Sequence, residues 1–122
     1  MSILRYTDDH EWARLEGDSV TVGITEHAAE QLGDIVFIEL PEVGDEIAAG
    51  AEVSTIESVK AASDISAPVD GEIVEINDKI VENPALVNED PTGAGWFFRM
   101  KIADAGALDE FMDEDEYKAF IE

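Results

Sequence analysis

Short stretches in which apolar and polar residues alternate, separated by turn residues, recur along the chain. Residues 20–24 (VTVGI) alternate cleanly after a turn at residues 16–19, which closes a hairpin with the segment around Trp12. Successive side chains of a β-strand point to opposite faces, so a period of two is typical of strands with one buried face. The pattern predicts a mostly β protein.

Two further predicted strands differ in character. Residues 34–40 (DIVFIEL) form a nearly continuous apolar run, which is typical of a strand buried on both faces. Residues 96–102 (WFFRMKI) alternate instead. The side chains predicted to share their buried face are Trp96, Phe98, Met100 and Ile102.

Two segments break the β pattern and predict helices. Residues 25–33 (TEHAAEQLG) predict a short helix with Thr25 as its N-cap and Gly33 at its end. Residues 104–122 predict a C-terminal helical segment. Its apolar side chains available for docking are Leu108, Phe111, Met112, Tyr117, Phe120 and Ile121.

One of the few lysines stands at the tip of a predicted hairpin. The chain has 7 basic residues against 30 acidic ones. One strand (residues 52–57) approaches Lys60 and another (residues 62–66) leaves it. Turns that lead into strands at residues 41–47 and 68–73 repeat each other on its two sides. This echo is typical of two similar β halves folded face to face.

The turn at residues 58–61 (SVKA) gives Lys60 the features that an acylating enzyme needs. The amine is predicted to be exposed on a narrow projection, small residues follow it, and Val59 offers an apolar contact. Acylation would place a long flexible arm on a rigid support, which raises the effective concentration of a carried group at several active sites. The alternative is a lysine that is simply a solvated charge.

The sequence gives no support for a catalytic or metal site. The segment HEWAR, which begins at His10, lacks the second histidine of a zinc-protease helix. His10 and His27 are the only histidines and cysteine is absent, so neither a multi-His nor a thiolate site can form. No GxGxxG or P-loop pattern occurs. We therefore expect no enzyme, no catalytic residue and no metal.

The net charge of −23 is evenly distributed, with 14 acidic residues in residues 1–61 and 16 in residues 62–122. Such a surface repels nucleic acid and anionic lipid. It is compatible with a mimic of nucleic acid that captures basic partners, or with adaptation to concentrated salt, where the Debye length falls to about 3 Å at 1 M. Even spacing and scarce lysine favour salt adaptation. No apolar run has the length of a membrane span or signal peptide, so we expect one cytoplasmic, monomeric domain over residues 1–122.

Four segments resemble the H protein of the glycine cleavage system, and the resemblance runs from about Tyr6 to the C-terminal helix, nearly the whole chain. They are HEW (residues 10–12), GITEHAAEQLGDIVFIELPEVGDEI (23–47), ESVKAASDISAPVDGEIVEIN (57–77) and NEDPTGAGWFFRMKI (88–102). The resemblance implies a barrel-sandwich hybrid, in which two β layers carry a modified lysine on a hairpin, with a short helix after the first hairpin and helices at the C-terminus.

The resemblance also implies a non-catalytic carrier, with lipoate joined to the ε-amine of Lys60. It implies four partners: a pyridoxal-phosphate glycine decarboxylase (P protein), a tetrahydrofolate-dependent aminomethyltransferase (T protein), a dihydrolipoyl dehydrogenase (L protein) and a lipoate-attaching enzyme. The residues that we expect the attaching enzyme to recognise are Glu57, Ser58, Val59 and Ala61.

Members of this family hold the loaded arm against their own surface, and Glu11 and Asp64 stand at matching positions. A carboxylate that faces a protonated amine is favourable. The alternative for both residues is an ordinary surface acid. Gln31 replaces a histidine that many members have, so no imidazole contact is expected, and Asp9 replaces a serine and is a third possible acceptor.

Two other classes of function remain open. The first is a different swinging-arm domain, either a biotin carrier or a lipoyl domain of a 2-oxo acid dehydrogenase. Biotin carriers have methionine on both sides of the lysine, where this chain has Val59 and Ala61. Lipoyl domains of 2-oxo acid dehydrogenases are shorter, have an aspartate before the lysine, and lack the HEW segment and the C-terminal helices. The second is an acidic β module that binds a basic partner by charge. An unmodified intact mass under lipoate-sufficient expression would favour this last class.

Overall fold

The computed structural model describes residues 2–121, and its strands form two antiparallel sheets. The strands in chain order are β1 (Ser2–Tyr6), β2 (Glu11–Glu16), β3 (Ser19–Ile24), β4 (Ile35–Glu39), β5 (Glu46–Ile47), β6 (Glu52–Ser58), β7 (Ala62–Ser66), β8 (Gly71–Ile76) and β9 (Phe98–Lys101). One sheet has the spatial order β1-β2-β3-β9-β8-β5 and the other has the order β4-β6-β7. These two layers confirm the mostly β fold.

A single apolar core joins the two sheets. Val22, Ile73 and Phe98 of the six-stranded sheet and Ile38 and Ile56 of the three-stranded sheet are all buried and belong to one cluster. Burying one large apolar side chain stabilises a fold by roughly 1.5–3 kcal/mol. The shared core therefore fixes the position of the three-stranded sheet, which contains the hairpin of Lys60, against the rest of the molecule.

The helices lie between and after the strands. They are α1 (Glu26–Leu32), α2 (Asp78–Glu82), α3 (Ala85–Glu89) and α4 (Glu114–Ile121), with a 3₁₀ turn at Ala105–Glu110. Both predicted ends of α1 are confirmed, because Thr25 Oγ1 accepts from the Ala28 amide at 3.2 Å and Gly33 follows the helix with φ 74°. The C-terminal segment is helical in two pieces, while β1, α2 and α3 were not predicted.

The prediction that residues 34–40 are buried on both faces is wrong. Val36 is 55% exposed and Phe37 is 45% exposed. The strand β4 lies at the edge of the three-stranded sheet, and its pairing with β6 shifts register between Ile35 and Phe37. A bulge of this kind bends the strand and redirects its side chains. Both side chains consequently face outwards beside the lysine hairpin.

The predicted alternation in residues 96–102 holds only inside the strand. Phe98, Met100 and Ile102 are buried, but Trp96 is half-buried and Phe97 is completely buried. The ladder of β9 begins at Phe98, so the preceding two residues do not follow its period of two.

The predicted docking of the C-terminal segment is correct for some side chains only. Leu108 and Tyr117 are buried, while Phe111, Met112 and Ile121 are partly buried. Phe120 is 49% exposed, and only one side of its ring packs, beside His10 and Tyr117 at centroid distances of 5.8 and 6.3 Å. Glu122 lies outside the described residues. None of the helices in the described part of the chain has the length and apolar character needed to cross a membrane.

Ion pairs neutralise little of the negative charge. Three occur within residues 2–121: Arg99–Glu75, Lys101–Asp18 and Lys118–Glu114, all between partly exposed side chains. Surface pairs contribute about 0–1 kcal/mol each. The chain has 30 acidic residues against 7 basic ones, and the mutual repulsion of the carboxylates opposes the compact state.

We predict that added salt stabilises the fold by screening this repulsion. The melting temperature should rise between dilute buffer and about 1 M sodium chloride, where the Debye length shortens from about 30 Å or more to about 3 Å. Differential scanning calorimetry checks the rise, with sucrose at matched osmolality as the control for excluded-solute effects. A melting temperature that stays flat with salt would contradict salt adaptation.

Candidate functional site

The hairpin of β6 and β7 presents Lys60 at its tip, as predicted. The Ser58 amide donates to the Ala61 carbonyl at 2.8 Å and closes the turn. Ser58 Oγ also accepts from the Lys60 and Ala61 amides, at 3.2 and 3.0 Å. The hydroxyl of Ser58 therefore makes its hydrogen bonds within the turn. Lys60 itself is exposed.

The side chain of Lys60 extends over the end of α1. A Cβ atom placed on Gly33 would lie 3.2 Å from Lys60 Cε and 3.6 Å from its Nζ, so the stem of the lysine uses the space that glycine leaves open. Lys60 is not a member of any ion pair formed by residues 2–121. The amine therefore lies close to the surface without an ion-pair partner among the residues that the structure describes.

A narrow cleft of about 140 Å³ lies beside the hairpin. Since one water molecule occupies about 30 Å³ in the liquid, the cleft has room for a small polar group. It is lined by Asp9, His10, Glu11, Ile24, Ala28, Gln31, Leu32, Ile56, Ser63, Asp64 and Ile65. The three carboxylates expected from the resemblance and the unusual Gln31 therefore come together in one cavity.

Glu11 is not an ordinary surface acid, because it is only 3% exposed. Its Oε2 accepts from the Ser66 amide at 3.0 Å, at the end of β7. Its Oε1 accepts a longer bond of 3.4 Å from Thr7 Oγ1, which in turn accepts from the Glu11 amide. The carboxyl group thus connects β2 of the six-stranded sheet to Ser66, the last residue of β7 in the lysine hairpin.

Burial raises the pKa of Glu11 from 4.5 to about 7. Removing a carboxylate from water disfavours its charged form, and the neighbouring Asp9 adds to the shift, while the hydrogen bond from Ser66 opposes it. Near neutral pH the carboxyl group is therefore poised between its two forms. A cation that entered the cleft would favour the ionised form and pull the pKa down.

The other two carboxylates lie at the rim of the cleft. Asp9 and Asp64 are both exposed. One oxygen of Asp64 accepts from Thr55 Oγ1 at 3.2 Å across the hairpin. Asp64 can therefore still be interpreted as an ordinary surface acid. For Glu11 this interpretation is excluded, because Glu11 is buried.

The C-terminal helix supports one wall of the cleft, which the sequence did not indicate. Tyr117 Oη lies 2.8 Å from His10 Nδ1 and 2.7 Å from Thr25 Oγ1. His10 has φ 65°, a left-handed conformation that is unusual for a residue with a side chain. Burial and the nearby His27 lower the pKa of His10, so its neutral form is favoured. The only sequence signal was the apolar character of the C-terminal segment.

The residues expected to be recognised by an attaching enzyme surround the turn. Glu57 and Ala61 are exposed and Val59 is 66% exposed. Val36 and Phe37 extend this apolar surface on the strand that pairs with β6. Ser58 differs from these exposed residues, because its hydroxyl is hydrogen-bonded within the turn and so contributes to the shape of the hairpin. Across residues 2–121 no group of three or more metal-ligating side chains comes together.

Comparisons with known proteins all point to one family. Residues 4–122 match the family described as glycine cleavage H-protein. The glycine cleavage system H protein of Parvibaculum lavamentivorans is 54% identical over 122 residues, which cover 100% of this chain and 98% of that protein. The H protein of Methylocella silvestris is 54% identical over 121 residues, covering 99% and 97%. The crystal structure of a Mycobacterium marinum H protein superposes with a TM-score of 0.86 at 43% identity, covering 95% of this chain and 94% of that one.

We predict that Glu11 makes the fold less stable as the pH rises from about 4.5 to about 7. In this window the folded state binds more protons than the unfolded state, so the free energy of unfolding falls with pH. The shift corresponds to a loss on the order of 3 kcal/mol. The replacement Glu11→Gln should remove this loss, so its stability relative to the wild type should increase with pH.

Urea unfolding of both proteins at several pH values between 4 and 8 measures this difference. The replacement Glu16→Gln removes an exposed carboxylate from the end of the same strand and is the control for the loss of one charge. A difference between wild type and Glu11→Gln that does not change with pH would show that Glu11 is not the titrating group.

Proposed function

Because the chain belongs to the glycine cleavage H-protein family and serves that system as a lipoyl carrier, not as a catalytic subunit, we propose that Lys60 is the residue that carries the lipoyl group. The observation that carries the proposal is the exposed Lys60 at the tip of a hairpin whose turn is closed by hydrogen bonds, beside a cleft lined with carboxylates.

Lys60 and its surroundings fit a covalently attached lipoyl group. The amine is exposed, and no ion pair among the described residues has to be broken before acylation. An attaching enzyme that uses ATP to activate the carboxyl group of lipoate would form an amide bond between that carboxyl carbon and Lys60 Nζ. The bond from the carboxyl carbon to the activating nucleotide breaks, and the amine gives up protons, so the ammonium charge is lost. The turn closed by Ser58 then holds the base of the arm while the arm itself stays flexible.

When attached, the lipoyl group would supply a disulfide, one sulfur of which could carry an aminomethyl group from decarboxylated glycine while the other becomes a thiol. The contribution of the chain itself is to hold that amine. In the proposed arrangement Glu11, Asp64 and Asp9 face the protonated amine in the cleft. Ionised carboxylates make strong, charge-assisted hydrogen bonds with such a group.

The buried Glu11 is the strongest of the three proposed acceptors. A positive amine in the cleft would lower its raised pKa, so binding of the amine and ionisation of Glu11 favour each other. The apolar part of the lining consists of Ile24, Ala28, Leu32, Ile56 and Ile65. Gln31 provides a neutral amide at the position where many members of the family have a histidine, so carboxylates alone would balance the charge.

The proposed partners are the other components of the system: a glycine decarboxylase, an aminomethyltransferase and a dihydrolipoyl dehydrogenase, together with a lipoate-attaching enzyme. Glu57, Val59 and Ala61 are exposed around Lys60 and are the proposed direct contacts of the attaching enzyme, with Ser58 acting through the turn. We also propose that the protein is adapted to concentrated salt and that it acts in the cytoplasm.

We predict that Lys60→Arg abolishes lipoylation without unfolding the protein. Arginine keeps the charge and a long stem, and exposed replacements usually change stability by about 0.5 kcal/mol or less. The guanidinium group stays protonated and is a poor nucleophile, so no lipoyl mass should appear. Intact mass after incubation with lipoate, ATP and a lipoate-attaching enzyme measures the result, and circular dichroism checks the fold.

The control is Lys79→Arg, the same replacement at an exposed lysine of α2, which should be lipoylated as the wild type is. Full lipoylation of the Lys60→Arg protein, or full glycine cleavage with it in the reconstituted system, would show that Lys60 is not the carrier residue.

A further inference from the structure

The side chain of Asn88 in α3 binds both sides of the turn that links α1 to β4. Asn88 Nδ2 donates to the Gly33 carbonyl at 2.7 Å, and Asn88 Oδ1 accepts from the Ile35 amide at 3.0 Å. A carboxamide is suited to this pair of bonds, because it carries a donor and an acceptor side by side. The residue between the two bonded groups is Asp34, whose carbonyl is thereby fixed in direction.

The Asp34 carbonyl is bonded to the tip of the lysine hairpin. It accepts from the Val59 amide at 3.0 Å, one residue before Lys60. The adjacent pairing of Ile35 with Ser58 continues this contact into the sheet of β4 and β6. The two hydrogen bonds of the Asn88 side chain and the bond that the Val59 amide donates therefore form a continuous connection from α3 to the residue before the lysine.

The same turn forms the surface beneath the lysine stem. Gly33 has φ 74°, a conformation that side chains rarely adopt, and Lys60 Cε occupies the space over it. A change in the Gly33 conformation would therefore alter both the surface under the stem and the carbonyl that binds Val59. Asn88 is the side chain that fixes this conformation from outside the turn.

The helix α3 is itself held firmly. Val87, the residue before Asn88, is fully buried in the main core. Asn88 is half-buried, so its two hydrogen bonds are partly shielded from water. A typical intramolecular hydrogen bond contributes about 1 kcal/mol net, and removing one partner leaves the other group unsatisfied.

We propose that Asn88 is a positioning residue for Lys60: by fixing the turn at Gly33, Asp34 and Ile35, it sets the place and direction of the hairpin tip. The inference rests on the proposed role of Lys60 in lipoylation. Its physical part, the coupling of Asn88 to the Val59 amide, is independent of that role. An enzyme that acylates Lys60 has to approach the amine itself, so it depends on where the tip is held.

The first test measures the hydrogen exchange of single amides by NMR in the wild type and in Asn88→Ala. Exchange of the Val59 and Ile35 amides should become about fivefold faster or more, as expected for the loss of roughly 1 kcal/mol. The Ile73 amide, bonded to the Asp45 carbonyl at 2.8 Å in the other sheet, should keep its rate. The replacement Asn83→Ala is the matched control, because Asn83 is exposed and its side chain makes no hydrogen bond within the described residues.

The replacement Asn88→Asp separates the two bonds of the amide. It keeps an oxygen that can accept from the Ile35 amide but removes the donor to the Gly33 carbonyl. The Ile35 amide should therefore stay protected in this variant while Val59 loses protection. Equal acceleration of Val59 and Ile73 in Asn88→Ala would show a general loss of stability and overturn the proposal, as would an unchanged rate at Val59.

The second test measures lipoylation with lipoate, ATP and an attaching enzyme. The value of kcat/KM should fall about fivefold or more in Asn88→Ala and stay within about twofold in Asn83→Ala. Acetylation of Lys60 by a small acyl reagent should be unchanged in both variants, because such a reagent does not require the tip to be held. Unchanged lipoylation together with faster Val59 exchange would overturn the link from position to attachment.

A failure of the proposed function gives a different result. In that case the wild type itself would acquire no lipoyl group on Lys60. The exchange rates of Val59 and Ile73 would still decide whether Asn88 positions the hairpin tip.

Discussion

The hydrogen bond between the Val59 amide and the Asp34 carbonyl is the contact on which the proposed position of Lys60 depends. It joins the tip of the lysine hairpin to the end of α1, while Ser58 closes the turn from within. A carrier needs a fixed base and a mobile arm, because the effective concentration of the carried group depends on both. The structure separates these needs: the backbone around Lys60 is bonded on both sides, whereas the amine has neither burial nor a charged partner among the described residues.

The cleft has the opposite property, an ionisable group that is buried. Glu11 joins β2 to the end of β7. Its pKa is raised because desolvation disfavours the ionised form of its carboxyl group. In a chain with 30 acidic residues, negative charge alone does not distinguish a site. Burial does so, because an interaction between a carboxylate and a cation is stronger where water is excluded.

Much of this arrangement could be predicted from local sequence signals. The strands on both sides of Lys60 and the caps of α1 follow from alternation, turn residues and capping chemistry, and the structure has them at the expected residues. The exposure of Val36 and Phe37 could not be predicted, because it arises from a register shift and an edge position in the sheet. The roles of Asn88 and Tyr117 depend on contacts between residues far apart in the chain, and composition does not report such contacts.

The direct test of Lys60 as the carrier residue is to locate the modification in the wild-type chain. The protein would be lipoylated with an attaching enzyme, digested, and sequenced by tandem mass spectrometry. The sequence contains four lysines: Lys60, Lys79, Lys101 and Lys118. We predict one lipoyl group per chain, on the peptide that contains Lys60. A lipoyl group on any other lysine, or none on Lys60 while a known H protein is modified in the same reaction, would contradict this assignment.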